Sequence, residues 1–142
     1  MLRFAIIFAG QVLAGSAIVD LPKPAKPAIL RAASVTERDY PVSAVAKWQE
    51  GVAVARYRVA TSGFVDHCEI AKSSGVDVLD LRSCEIVQKR FRYAAAKDTK
   101  GGKVAQIMMQ SFEWRIFTPC NALDPNRICI NLERKRPTAS VN

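Results

Sequence analysis

The chain has 142 residues, of which 49% are hydrophobic, and it carries a formal net charge of +8. This length supports one domain with an ordinary hydrophobic core. In a cytosolic protein such a basic surplus would suggest binding to nucleic acid. The sequence contains no nucleic-acid motif and its N-terminus indicates export, so we exclude a nucleic-acid partner.

The N-terminus has the pattern of a secretory signal peptide. A short basic start, Met1–Arg3, precedes an apolar run from Phe4 to Val19. This run is shorter than the ~20 residues that a membrane-spanning helix needs, and Gly15-Ser16-Ala17 supplies small residues of the kind that a signal peptidase cleaves after. We therefore predict a cleaved signal peptide over residues 1–17. The alternative is an uncleaved short membrane anchor.

A proline-containing linker is predicted over residues 18–38, because it includes the stretch LPKPAKP. In an extended polyproline conformation, residues 20–38 would span roughly 60 Å at most. The first helix is predicted to open at Tyr40-Pro41, since proline is tolerated at the first helical position, and to stop at Gly51. An apolar stripe follows helical spacing: Ala44, Val45 and Trp48.

Two antiparallel strands are predicted next, over Val52–Ala60 and Phe64–Lys72, joined by the turn Thr61-Ser62-Gly63. Alternation in the first strand separates Ala53, Ala55, Tyr57 and Val59 from the more polar face. The apolar residues of the second strand share one face only if an extra residue is absorbed near Asp66-His67, which predicts a β-bulge: Val65, Cys68 and Ile70.

A second helix is predicted over Leu79–Arg92, with Asp77 as its cap. Cys84, Val87 and Phe91 form its apolar stripe. A polar loop at Lys97–Gly102 then leads to a long third strand, Val104–Phe117. The order helix, hairpin, helix, strand predicts an α+β domain over residues 39–117, in which two helices pack on a three-stranded antiparallel sheet.

The remaining residues, 118–142, are predicted to form a disulfide-closed extension and a basic tail. Residues 127–133, RICINLE, alternate apolar and polar and follow the turn signal Asp124-Pro125-Asn126. This pattern would allow residues 127–133 to fold back on the third strand and to form a hairpin with it as an extra C-terminal strand. An edge covered in this way cannot accept a partner strand unless the covering strand is displaced.

Four cysteines and an export signal indicate two disulfides formed in an oxidising compartment. Three pairings are possible. We favour Cys68–Cys84, because one residue is on the hairpin and the other on the helix packed over it, which leaves Cys120–Cys129. A metal site is not expected, because the chain has no Cys-x-x-Cys and its one histidine, His67, would point away from Cys68.

Several short motifs in this order resemble the C-terminal domain of the TonB family. The matching positions are Tyr40-Pro41 and Gly51 around the first helix, Ser62-Gly63 and Ser73-Ser74-Gly75 around the hairpin, Leu79-Asp80 at the second helix, and Tyr93, Ala96, Asp98 and Gly101 after it. The resemblance covers about half of the chain. It implies a periplasmic location or, if the N-terminus is retained, an inner-membrane anchor with the domain facing the periplasm.

The resemblance also implies a function in protein binding. TonB proteins engage outer-membrane transport receptors, and a receptor segment adds as a strand beside the third strand. The residues implied in partner binding are Tyr40, Pro41, Ile107, Met108, Met109, Gln110, Ser111 and Phe112. The alternative is a stand-alone periplasmic adaptor or structural protein without energy coupling, because the linker is short and the apolar N-terminus lacks histidine.

No residue pattern supports an enzyme or a cofactor site. His67 has no nucleophile or paired carboxylate in sequence, and Ser73-Ser74-Gly75 lacks the glycine-rich loop and lysine of a P-loop. Asp66 and Asp98 lie in turns, where aspartate accepts backbone N–H bonds. The clustered basic residues form a solvated surface or attract an anionic membrane surface or an acidic partner: Lys89, Arg90, Arg92, Lys97, Lys100, Lys103, Arg134, Lys135 and Arg136.

The mature protein is predicted to begin near Ile18, because the small residues Gly15-Ser16-Ala17 close the apolar run. Mass spectrometry of the exported protein measures the N-terminus directly. An intact Met1–Val19 segment in the membrane fraction would instead identify an anchor.

Overall fold

The computed structural model describes residues 18–121 and 123–132. The predicted signal peptide and the basic tail lie outside the described residues. The elements in chain order are β1 (Ile29–Ala32), a 3-10 turn (Glu37–Asp39), α1 (Val42–Ala46), β2 (Gly51–Val59), β3 (Val65–Lys72), α2 (Asp77–Arg90), β4 (Arg92–Ala94), β5 (Ala96–Lys97), β6 (Lys103–Val104), β7 (Gln106–Ile116) and β8 (Arg127–Leu132).

The main sheet has four strands in the order β3-β2-β7-β8. The predicted α+β architecture with two helices is confirmed, and the predicted count of three strands is corrected to four. β2 pairs antiparallel with β3 and with β7. Two small antiparallel sheets, β1 with β4 and β5 with β6, complete the fold.

β8 covers part of β7, but it runs parallel to it and not antiparallel as the hairpin hypothesis required. Ser111–Ile116 pairs in register with Arg127–Leu132. The physical reason lies in the connection at residues 117–126. This segment brings the chain back past Glu113, where the Asn121 N–H donates to the carboxylate at 3.2 Å, so β8 starts level with Ser111 and runs in the direction of β7.

Both expected disulfides are present. Cys68 on β3 is bonded to Cys84 on α2, and Cys120 in the returning connection is bonded to Cys129 on β8. The first bond joins the sheet to the helix layer. The second closes the segment that leads into β8.

The bulge expected near Asp66-His67 is confirmed. Arg58 pairs with His67 and Val59 pairs with Val65, so Asp66 is the extra residue. A second irregularity leaves Ala71 unpaired between Ile70 and Lys72 in the same ladder. The bulge at Asp66 shifts the register of β3, so that Val65, Cys68 and Ile70 all lie against the core.

Aromatic rings from the sheet and the helix layer form the centre of the core. Trp114 on β7 is fully buried and meets Tyr40 edge to face, with the ring centroids 5.2 Å apart. Its indole N–H donates to Ser83 Oγ at 3.1 Å, and that hydroxyl donates to the Leu79 carbonyl at 2.8 Å. Because a buried polar group is costly when left unpaired, these two bonds favour one position of α2 over β7.

Helix α1 is shorter than predicted and ends at a different residue. It covers only Val42–Ala46, and the backbone turns at Trp48, which has a φ of 54°. Gly51, the predicted stop, is instead the first residue of β2. A Cβ atom on Gly51 would lie 2.5 Å from the Ser74 carbonyl oxygen, so close approach of two backbone segments requires glycine there.

Helix α2 confirms the predicted second helix but covers Asp77–Arg90 and not Leu79–Arg92, so Phe91 and Arg92 lie beyond its end, and Asp77 does not cap it. Val76 occupies the N-cap position, and no side chain caps the helix there. Asp80, in the first turn of the helix, bonds the preceding turn: its carboxylate accepts from the Ser74 N–H at 2.8 Å and from the Ser74 hydroxyl at 2.7 Å. The Ser-Ser-Gly turn is thereby fixed to the first turn of the helix.

Part of the predicted linker lies against the domain. Lys26 and Lys97 exchange two backbone hydrogen bonds of 2.9 Å, and the Ala28 N–H donates to Gln106 Oε1 at 2.7 Å. β1 then pairs with β4, and the Ser34 carbonyl accepts from Arg90 at 3.0 Å. Residues 26–34 therefore belong to the folded unit.

We predict that replacing Cys68 and Cys84 by serine together lowers the free energy of unfolding by about 2–5 kcal/mol, because the bond constrains the unfolded chain. Urea unfolding without reductant measures this effect. The matched control replaces Cys120 and Cys129 by serine, which opens a shorter loop and has a smaller entropic effect. An unchanged urea midpoint for the first pair would show that this bond does not stabilise the fold.

Candidate partner-binding site

The strand β7 has a covered part and an open part. On one side it pairs with β2 over Gln106–Trp114. On the other side β8 pairs only with Ser111–Ile116. Among the described residues, no strand pairs with Gln106–Gln110 on that side, and we call these five residues the open edge. At about 3.3 Å per residue the open edge is roughly 17 Å long.

A groove of about 620 Å³ lies beside the open edge. One wall comes from the N-terminal segment and the other from the turn that leads into β8, while two tyrosines and two methionines line the space between them. The lining residues used here are Leu30, Val35, Tyr57, Tyr93, Met108 and Ile128. The groove therefore combines a strand edge with apolar surface, which suits an extended peptide segment.

The two groove tyrosines are bonded to each other. The hydroxyl oxygens of Tyr57 and Tyr93 are 2.7 Å apart, and both side chains are buried. Burial raises the pKa of Tyr57, and the hydrogen bond with Tyr93 raises it further. Burial also raises the pKa of Tyr93. Both groups stay neutral at physiological pH, so the groove gains no negative charge from them.

The structure distributes the sequence-predicted binding residues over several environments. Tyr40 is buried in the core, donates its hydroxyl to the Gln49 carbonyl at 2.6 Å, and has a pKa raised to about 12, mainly by burial. Pro41 precedes α1 as its N-cap. Phe112 is fully buried, and both Ser111 and Phe112 pair with β8. Only residues 107–110 of the predicted set lie on the open edge.

Gln110 marks the boundary between the open and covered parts of β7. Its side-chain amide donates to its neighbour's carbonyl, that of Ser111, at 3.1 Å, and also to the carbonyl of Asn126 in the turn before β8. The side chain thus connects the end of the open edge to the start of the covering strand. A change at Gln110 would alter this connection as well as the edge.

Glu113 holds the covering segment in place. Its side chain is only 1% exposed, and its carboxylate accepts from Arg115 Nε at 2.8 Å, from Arg127 Nη1 at 3.0 Å and from the Asn121 N–H. Burial alone would raise the pKa of Glu113, but the hydrogen bonds from the two guanidinium groups and the Asn121 backbone outweigh it. The pKa of Glu113 is consequently lowered.

Asp39 holds the N-terminal wall of the groove in place, as Glu113 holds the covering segment. The buried carboxylate accepts from Arg90 at 2.6 Å and from Arg82 at 3.2 Å, and it also accepts the Thr36 N–H at 2.8 Å. Burial raises the pKa of Asp39, but these bonds together lower it below its ordinary value. The segment that follows Val35 is thereby tied to α2.

The N-terminal wall is the part of the site that sequence reasoning missed. The sequence predicts a linker for Leu30, Ala33 and Val35, yet these residues line the groove. The apolar pair Ile29-Leu30 directly after a proline-rich stretch is the one sequence feature that could have indicated a packed segment. The backbone hydrogen bonds between Lys26 and Lys97 do not depend on residue type, so the sequence gives no sign of them.

Within residues 18–121 and 123–132, no group of three or more histidine, cysteine, aspartate or glutamate side chains is arranged to hold a metal ion. Over the same residues, the structure contains no helix whose length and apolar character would allow it to cross a membrane.

Comparison with known proteins identifies the family. Residues 36–116 match the model of the Gram-negative bacterial TonB protein C-terminal family. This chain belongs to the TonB C-terminal family. Members are non-enzymatic, periplasmic protein-interaction domains that generally interact with outer-membrane receptors.

A solved structure agrees with this assignment at the level of the fold. The solution NMR structure of the Pseudomonas aeruginosa TonB C-terminal domain is similar to the chain, with a TM-score of 0.52 and 18% sequence identity. The match covers 66% of this chain and 90% of that domain. The comparison with curated proteins gave no match.

We predict that Glu113→Gln lowers the free energy of unfolding at neutral pH by about 1–3 kcal/mol, because it weakens two charge-assisted bonds in a buried site. The folded pKa of Glu113 lies below the ordinary value of 4.5. Its contribution is therefore present above the unfolded pKa and is lost as the pH falls through the folded pKa.

Urea unfolding between neutral and acidic pH measures this difference. Glu69→Gln is the matched control, because Glu69 pairs with Arg56 but its side chain is 39% exposed, and its loss should have little effect. Equal destabilisation by the two variants at neutral pH would show that burial does not strengthen the Glu113 network.

Proposed function

We propose that the open edge binds a short extended segment of a protein partner by strand addition, and that the partner is an outer-membrane transport receptor on its periplasmic side. The observation that carries this proposal is the edge of Gln106–Gln110 that faces away from β2, where no described strand pairs with it, beside an apolar groove. Unpaired edge groups supply affinity through backbone hydrogen bonds, and neighbouring pockets select side chains.

The side chains that line the groove indicate what kind of partner segment would fit it. Leu30, Met108 and Ile128 offer apolar contacts, while Asn126 and Gln110 present polar groups at one end. The segment that fits is extended, about five residues long and apolar on the side that faces the groove floor. Family membership supports a receptor as the source of this segment.

The two disulfides support a periplasmic location, where the chain would encounter such a partner. Both Cys68–Cys84 and Cys120–Cys129 are present, and disulfides persist in oxidising compartments such as the bacterial periplasm. We propose that the chain is exported by its N-terminal segment and acts in the periplasm.

A second candidate is a periplasmic adaptor without energy coupling. The observation that favours it is the docking of residues 26–34 on the domain, through the Lys26–Lys97 bonds and the β1–β4 pairing. A segment bound to the domain cannot extend away from it. The linker can therefore span much less than the ~60 Å of its fully extended form. An anchored form would then hold the domain near the inner membrane.

Peptide length provides a sharp test of strand addition. We predict that the affinity for peptides from the periplasmic segment of an outer-membrane receptor rises up to about five residues and then levels off, because β8 occupies the edge from Ser111 onward. Isothermal titration of peptides of increasing length measures this dependence.

A variant without the covering strand is the comparison. It ends after Pro119, and for this variant the affinity should continue to rise with longer peptides. Ile130 is buried in the core, so circular dichroism must first show that the truncated protein keeps its fold. A continuing rise with length in the full chain would mean that β8 does not limit the edge.

Backbone methylation separates strand addition from side-chain binding. Methylating alternate amides of the bound peptide on the side that faces β7 should abolish binding, while methylating the other set should leave it unchanged, because only one set bonds the edge. Equal loss from both sets would contradict strand addition. If no receptor-derived peptide binds the full chain or the truncated chain, the adaptor candidate replaces the receptor.

A further inference from the structure

Two exposed aromatic rings meet at the far end of the sheet from the open edge. Trp48, after α1, is 66% exposed, and Phe117, after β7, is 45% exposed. Their ring centroids are 5.8 Å apart in an edge-to-face arrangement. We call Trp48 and Phe117 the aromatic pair.

Both members of the aromatic pair have backbone conformations that disfavour them. Trp48 has a φ of 54° and Phe117 a φ of 59°, and they are the only non-glycine residues with positive φ in the described part of the chain. Bulky side chains rarely occupy this region, whereas glycine or asparagine does so at lower cost. Residues held in disfavoured conformations cluster at functional sites.

Hydrogen bonds fix the segments that carry the two rings. The Trp48 N–H donates to the Val45 carbonyl at 3.1 Å, and the Phe117 N–H donates to the Leu132 carbonyl at 3.0 Å. The Glu50 carboxylate accepts from the Ile116 N–H and from the Thr118 hydroxyl, both at 2.5 Å. The rings are therefore presented on a rigid base that joins the start of β2 to the end of β7.

Positive charge accompanies the aromatic pair. Lys47 is exposed and directly precedes Trp48. Leu132, whose carbonyl bonds Phe117, is followed in sequence by Glu133 and the basic run Arg134-Lys135-Arg136. Glu50 stays ionised and offsets one of these positive charges, because its two donors are neutral and lower the pKa of its carboxyl group.

We propose that the aromatic pair is an interfacial anchor that seats this end of the domain on an anionic phospholipid surface. Tryptophan and phenylalanine rings enter the boundary between headgroups and acyl chains, and nearby lysine and arginine side chains are attracted to anionic headgroups. The net charge of +8 adds to that attraction.

This surface is separate from the groove. Phe117 lies seven residues beyond Gln110 along the chain, which corresponds to roughly 23 Å in an extended strand. A domain seated through the aromatic pair would leave the open edge free. The anchor does not depend on the proposed receptor binding, and either can fail without the other.

Tryptophan fluorescence tests the anchor in the unaltered protein. Of the two tryptophans, Trp114 is fully buried, so a change on adding vesicles reports on Trp48. We expect a blue shift, and quenching by brominated lipid, with vesicles of equal parts phosphatidylcholine and phosphatidylglycerol. Absence of both changes, or an equal shift with pure phosphatidylcholine, would overturn the proposal.

A variant pair measures the contribution of the rings. We expect the double change Trp48→Asn and Phe117→Asn to weaken vesicle binding about tenfold or more in cosedimentation, with the thermal midpoint retained because asparagine tolerates positive φ. Leu81→Asn is the matched control, because Leu81 is 71% exposed on α2. All proteins carry the same N-terminus, so its apolar run contributes equally. Equal weakening by the control and the double variant would overturn the proposal.

Discussion

A buried carboxylate determines how the C-terminal part of this domain is arranged. Glu113 is almost completely removed from water, and a buried charge is tolerated only when cations and hydrogen-bond donors surround it. Its donors come from three places: Arg115 on the same strand, Asn121 in the returning connection and Arg127 at the start of the last strand. The connection must therefore pass over Glu113 before β8 can begin.

The arrangement around Glu113 also decides how much of the sheet edge remains for a partner. Because Arg127 must reach the carboxylate, β8 begins level with Ser111 and covers the edge only from there onward. The Gln110 side chain holds the turn before β8 at this point. The proposed partner strand and the chain's own last strand would use neighbouring stretches of one strand, and the groove walls come from segments outside the hairpin and the two helices.

The architecture could be predicted from the sequence because its main features are recorded in the pattern of side chains. The alternation around Tyr57, the register change at Asp66 and the pairing of Cys68 with Cys84 follow from burial periodicity and from cysteine placement. The direction of β8 did not follow, because alternation is the same in parallel and antiparallel strands. The end of α1 was also missed, since nothing in residue preference predicts a left-handed tryptophan at position 48.

The two bulges on β3 have a consequence for self-association. This strand forms the edge opposite β8, and its displaced residues Asp66 and Ala71 interrupt an otherwise regular row of backbone groups. Bulges and charged side chains such as Glu69 and Lys72 discourage edge-to-edge pairing. Growth of the sheet from copy to copy would need two receptive edges. Because the β3 edge is blunted, growth of the sheet from copy to copy is disfavoured, even though β8 and the open edge lie at the other side of the sheet.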